Sequence, residues 1–193
     1  LALSFPPLSR TILATSATVV LALGSAGCTP APKASESAVF SVAASAAVTT
    51  WDPVRSFSTE ALYMGNIYEP LLWKNPEGSA EEFKPAIAES WSSSGDGKAW
   101  TFKIRSGATF HDGEPVNAAA VKASIDAARE RAAASFIWAP VESVETPDDS
   151  TVAINLKYAA PMDLVASSTY GAWIVSPKAL AASAKDEKYF DAG

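Results

Sequence analysis

The chain has 193 residues, 48% of them apolar and 19% charged, a balance that suits a folded domain rather than a disordered polymer. With 15 Lys and Arg against 21 Asp and Glu it carries a formal net charge of −6, so a phosphate backbone would repel it, and no run of basic residues interleaved with aromatics occurs. One cysteine and one histidine leave no internal disulfide and no ligand spacing that would hold zinc.

Residues 1–27 carry Arg10 as their sole charge, followed by the apolar, Ala-rich run TILATSATVVLALGSAG. That run is too short and too small-residued for a membrane span and reads as a secretory signal. It ends in SAGC, which resembles a bacterial lipobox, with Ser25 at a place where such boxes favour Leu. On that reading Cys28 is lipidated and becomes the new N-terminus; on the alternative, ordinary cleavage nearby leaves the cysteine incidental. Residues 28–37, with TPAPKASESA after the cysteine, are small, polar and Pro-containing, a composition that forms a flexible tether. The folded part is expected over 38–193, a length that suits one modest domain or one lobe of something larger.

Within it, 39–42 is β-prone and WDP stops it, because a proline disfavours helix at the residue before it. The stretch SFSTEALYMGNIYEPLLW places Ser58 as an N-cap with Glu60 in the first turn. Leu62, Tyr63, Ile67 and Leu71 recur at helical spacing, so a helix is expected over about 59–68, then a short strand in LLWK and a turn at NPEG. In ESWSSSGDGKAWTFKIRSGATFHDG, Trp100, Phe102 and Ile104 share one strand face while Thr101, Lys103 and Arg105 share the other, with Gly-containing turns at SGDG and HDG. Asn117 then caps a helix in which Val121, Ile125 and Ala128 form the buried stripe and Val116 staples to Val121. VESVETPDDSTVAINLK is a strand pair turning at PDD, and PKALAASAKDEKYF is a closing helix with Pro177 near its start.

A nucleotide cradle does not fit GDGKAWTF, since its glycines lead into a strand and no Ser or Thr follows the lysine. His111 beside Asp112 is half of a triad, but no GxSxG elbow accompanies it, so a turn residue bonded locally is the expected role.

The succession WDP, NIYEPLLW, KPAIAESWSSSGDGKAWTFKIRSGATFHDGEPVNAAAVKASIDAA, VESVETPDDSTVAINLK and WIVSPKAL resembles the N-terminal part of the family 5 extracellular solute-binding proteins, the peptide, oligopeptide and nickel type receptors of ABC importers. The resemblance runs from about residue 40 to the end. It departs from the family pattern at Ala119 and Ala120, where an acidic pair is common, and at Ser106.

The resemblance implies an α/β fold of the periplasmic-binding-protein type II kind, first lobe only, stopping before the second lobe. It implies a monomeric receptor that captures a small, peptide-like solute by hinge closure, hands it to ABC permease subunits and catalyses nothing, with no cofactor or metal. Combined with Cys28, it places the protein outside the cytoplasm on a lipid anchor. Arg55, Phe57 and Ser58, after WDP, and Tyr170 and Trp173, in TYGAW, match pocket walls of such receptors. One wall buries little of a ligand, so the chain alone is expected to bind poorly. The competing reading is a surface interaction lipoprotein without ligand capture.

Overall fold

The computed structural model describes residues 41, 43 and 47–192. The chain divides into two compact units, 1–42 and 43–193, and everything below concerns the second. The signal, Cys28, the tether and nearly all of the strand expected at 39–42 lie outside the described residues.

Alternation along β4 (Ala99–Ile104) organises the larger sheet. Trp100, Phe102 and Ile104 are buried, whereas Lys103 on the other face is exposed. β4 pairs antiparallel with β3 (Ala88–Ser93) and β6 (Thr151–Leu156), and β6 pairs antiparallel with β5 (Val141–Asp148), giving the order β3-β4-β6-β5. The register sets Phe102 opposite Val152, and Ile154 between Trp100 and Val144, so one face becomes a continuous apolar layer. β1 (Leu72–Lys74) and β2 (Phe83–Pro85) form a separate two-stranded sheet. The turns expected at SGDG and HDG are present, with Gly97 and Gly113 at φ of 68° and 87°, a region that non-glycine residues avoid.

The layer is covered by α2 (Ala118–Arg131), which packs on β5, β6 and α4 (Pro177–Ser183). Asn117 caps α2 as expected, its side-chain oxygen accepting the Ala120 N–H at 2.9 Å, and Val121, Ile125 and Ala128 are buried. Ala120 at the third helical position is 1% exposed, which explains the departure from an acidic residue: a glutamate completing a capping box would sit in the core. The helix start is also fastened to the β5–β6 turn, where Asp149 O accepts the Ala118 N–H at 2.8 Å.

Two helix expectations need correction. Instead of a helix over 59–68, α1 is the single turn Ala61–Met64, and Glu60, not Ser58, occupies the cap position. Leu62 is 78% exposed, so the apolar spacing that suggested a longer helix does not mark a buried face. The closing helix ends at Ser183, because Lys185, Asp186, Glu187 and Lys188 are all exposed and offer no stripe to bury. A short α3 (Met162–Ala166) and a 3-10 turn (Ser135–Trp138) complete the unit.

Phe102 has no exposed surface. Phe102→Ala should therefore lower stability by about 3–5 kcal/mol in urea unfolding, whereas Lys103→Ala on the opposite face should cost under about 1 kcal/mol.

Candidate functional site

Two buried carboxylates shape the loop that follows WDP. Asp52 Oδ1 accepts the Val54 N–H at 2.8 Å, and Asp52 O accepts that of Ser56 at 2.9 Å, folding 52–56 into a tight turn. Glu60 Oε1 accepts the Phe57 N–H at 3.2 Å while Oε2 accepts the Thr49 hydroxyl at 3.2 Å. Burial pushes the Glu60 carboxyl up, but its bonds to backbone amides and to Thr49 outweigh that and hold it below its ordinary 4.5. The loop is thus held from beneath, and Phe57 projects from it.

The stretch 167–176 is fixed from the other side. Trp138 Nε1 donates to Gly171 O at 2.8 Å, and Ser124 Oγ accepts the Val175 N–H at 2.9 Å. Gly171 sits at φ 70°, where an added Cβ would come within 3.2 Å of the Ala134 Cβ, so a side chain there would both strain the backbone and part it from the α2 corner. Tyr170, the residue before it, is turned outward.

These supports bring three rings together. The Phe57 centroid lies 5.4 Å from Tyr170 and 5.9 Å from Phe136, both edge-to-face. Phe57, Phe136 and Tyr170 remain 47%, 63% and 39% exposed, an aromatic surface on a fixed base. Phe136 is absent from the expected set. The 3-10 turn presents it outward while Trp138 points in, and SFIW alone does not distinguish the two.

The other expected residues divide. Ser58 is exposed beside Phe57, and exposed Arg55 pairs with Glu187 at 3.3 Å. Trp173 is a correction: it is 3% exposed and packs edge-on against Trp73 at 6.0 Å and tilted against Tyr68 at 6.4 Å, so it is core and offers no free ring face within the unit.

A cleft of about 700 Å³ opens elsewhere, lined by Tyr68, Glu69, Trp73, Arg105, Phe110, Tyr189 and others, and by none of Arg55, Phe57, Ser58, Tyr170 or Trp173. Arg105 is paired with Glu69 inside it. Burial, with the charges of Asp52 and Tyr189 adding, pushes the Tyr68 hydroxyl up to about 12. His111 and Asp112 also line it, but Asp112 accepts from the Ser176 hydroxyl at 2.5 Å and from the Glu114 N–H, bonds that lower its carboxyl and close the HDG turn. Among the described residues no cluster of three or more metal-ligating side chains occurs, and no helix is long and apolar enough to cross a membrane.

The unit is thus an antiparallel α/β fold that carries an exposed, supported aromatic face. The bacterial extracellular solute-binding proteins, family 5 (middle region), match residues 82–192, and the chain belongs to that family. Its fold is the first part of the periplasmic-binding-protein type II fold. It is similar to the glutathione-binding protein GsiB of Escherichia coli K12, 31% identical over 158 residues, covering 79% of this chain and 30% of that protein. It is also similar to the probable D,D-dipeptide-binding periplasmic protein DdpA of the same organism, 33% identical, covering 62% and 24%. Among solved structures, MoaA with mannopinic acid from A. tumefacien R10 matches at TM-score 0.65 and 33% identity over 74% of this chain and 30% of that one. NikA from Brucella suis with Fe(III)-EDTA matches at TM-score 0.58 and 32% identity over 66% and 26%. The chain thus spans under a third of the length of these relatives.

Because Glu60 is held ionised in the fold, its contribution is complete above 4.5 and is lost as pH falls through its lowered value. Urea unfolding from pH 7 to pH 3 should show that acid-side loss, and Glu60→Gln should be less stable at pH 7 by about 1–3 kcal/mol with a smaller fall on acidification.

Proposed function

We propose that this unit supplies one wall of the solute cleft of an ABC-importer receptor, with Phe57, Phe136 and Tyr170 as its contact surface and Arg55 and Ser58 at its edge. The observation that carries the reading is the aromatic cluster itself: three rings left in water although the backbone beneath them is held by buried carboxylates and by the Trp138 bond. Rigid exposed rings give contact area at little entropic cost. The solute is small and peptide-like, in keeping with relatives named for glutathione and D,D-dipeptide. Its capture is by closure of a second wall from outside this unit, and the receptor catalyses no reaction. The whole receptor is a monomer, docks on permease subunits and is held outside the cytoplasm by lipid on Cys28, after a signal at 1–27 and a tether at 28–37.

Calorimetric titration of the whole receptor, purified from its own cells, with glutathione and a dipeptide panel tests this. Phe57→Ala and Tyr170→Ala should each raise Kd by about tenfold, a loss of about 1.4 kcal/mol, with the thermal midpoint little changed. Unaltered Kd in both variants would overturn the assignment of the wall. The 193-residue chain by itself should bind at least a hundredfold more weakly; micromolar binding by it would show that no second wall is needed. Capture of a protein partner with no response to any solute would favour the interaction-module reading.

A further inference from the structure

We propose that Glu60 is a positioning residue for the solute: its buried carboxylate, by holding the Phe57 amide, fixes the direction in which the Phe57 ring meets the solute. The inference rests on the reading that Phe57, Phe136 and Tyr170 form the solute wall. Glu60 occupies the cap position of α1, yet its side chain makes no cap bond to that helix. It reaches backward instead, where Oε1 accepts the Phe57 N–H at 3.2 Å and Oε2 accepts the Thr49 hydroxyl at 3.2 Å. Among the described residues no lysine or arginine pairs with it, so its charge is answered by neighbouring backbone amides and by Thr49.

The same loop carries a group that works against stability. The Ser56 hydroxyl, directly before Phe57, is buried with no partner among the described residues. An unmet group of this kind persists where the conformation that imposes it is used. What the conformation of this loop sets is the ring of Phe57. Packing alone does not confine that ring, because its neighbours Phe136 and Tyr170 are themselves largely in water. The ring nevertheless stands at 68° to Tyr170 and at 87° to Phe136, in contact with both. Side-chain direction follows the backbone that carries it, and Glu60 Oε1 is the acceptor for the backbone N–H of Phe57.

Variants of the whole receptor, made in its own cells, test this by two readouts. The first is fluorine NMR of protein labelled with 4-fluorophenylalanine, in which the Phe57 line is assigned by its loss in Phe57→Leu; it needs no solute. The second is Kd for the tightest-binding member of the glutathione and dipeptide panel. Glu60→Met has similar length but no strong acceptor, so it should move the Phe57 line towards the position of the free amino acid and raise Kd about tenfold. Glu60→Gln keeps an oxygen for the Phe57 N–H, so the line should stay in place and Kd within about twofold, although this variant is the less stable fold. A merely structural role would instead make Kd follow stability. Thr49→Val, a mild change at an exposed residue, should shift both readouts in the direction of Glu60→Met but by less. In a Phe57→Ala background Glu60→Met should change Kd by less than about twofold, since the ring it aims is gone. An unmoved line in Glu60→Met and Thr49→Val, a Glu60→Gln that behaves like Glu60→Met, or a tenfold effect that persists without the Phe57 ring would each overturn the role. Phe57→Ala without effect on Kd sinks the wall itself, whereas Phe57→Ala with its expected effect and Glu60→Met with none sinks only the role of Glu60.

Discussion

The structure depends on the pairing of β4 from both sides. An interior strand has its backbone donors and acceptors taken up by neighbours, so its side chains are committed to two faces with no freedom to rotate between them. Trp100, Phe102 and Ile104 thereby become one floor, and Val152, Ile154 and Val144 extend it across β6 and β5. Helix α2 has a place to lie because that floor exists. The corner after α2 in turn holds Gly171 through Trp138, and Tyr170 owes its position to that corner. The proposed contact surface is thus three steps removed from the strand that makes it possible.

How much was legible in the sequence follows from whether local and tertiary preferences agree. In β4 and β6 the period-two pattern and the burial coincide, and in α2 the Asn117 cap and the apolar stripe point the same way, so these elements could be read directly. They disagree around α1. Glu60 turns its carboxylate back to Phe57 and Thr49, the chain closes after one turn, and of the apolar residues at helical spacing Leu62 and Ile67 face outward while Leu71 is buried beyond the helix. β3 escaped reading because only Ala88 is buried along it, which leaves no alternation to detect.

The aromatic surface was half legible. Phe57 and Tyr170 were reached through a family resemblance, and the structure puts their rings in contact although they are far apart in the chain. Trp173 and Phe136 show the limit of that route. Both are large aromatics beside small residues, yet one is core and the other is bare, and the difference is set by which way a backbone corner turns. The pairing of Asp191 with Thr50 and Trp51 had no local signature, since a carboxylate in an exposed, charged stretch looks like any solvated side chain.

The bond from Ala118 to the β5–β6 turn joins the helix start to the far hairpin, and Ser124 joins the same helix to the stretch that carries Tyr170. Helix, sheet and aromatic stretch are therefore linked at separate points along one rod, an arrangement that resists shear between layers. If a solute draws two walls together, these links favour bending outside the unit over a change in the curvature of this wall.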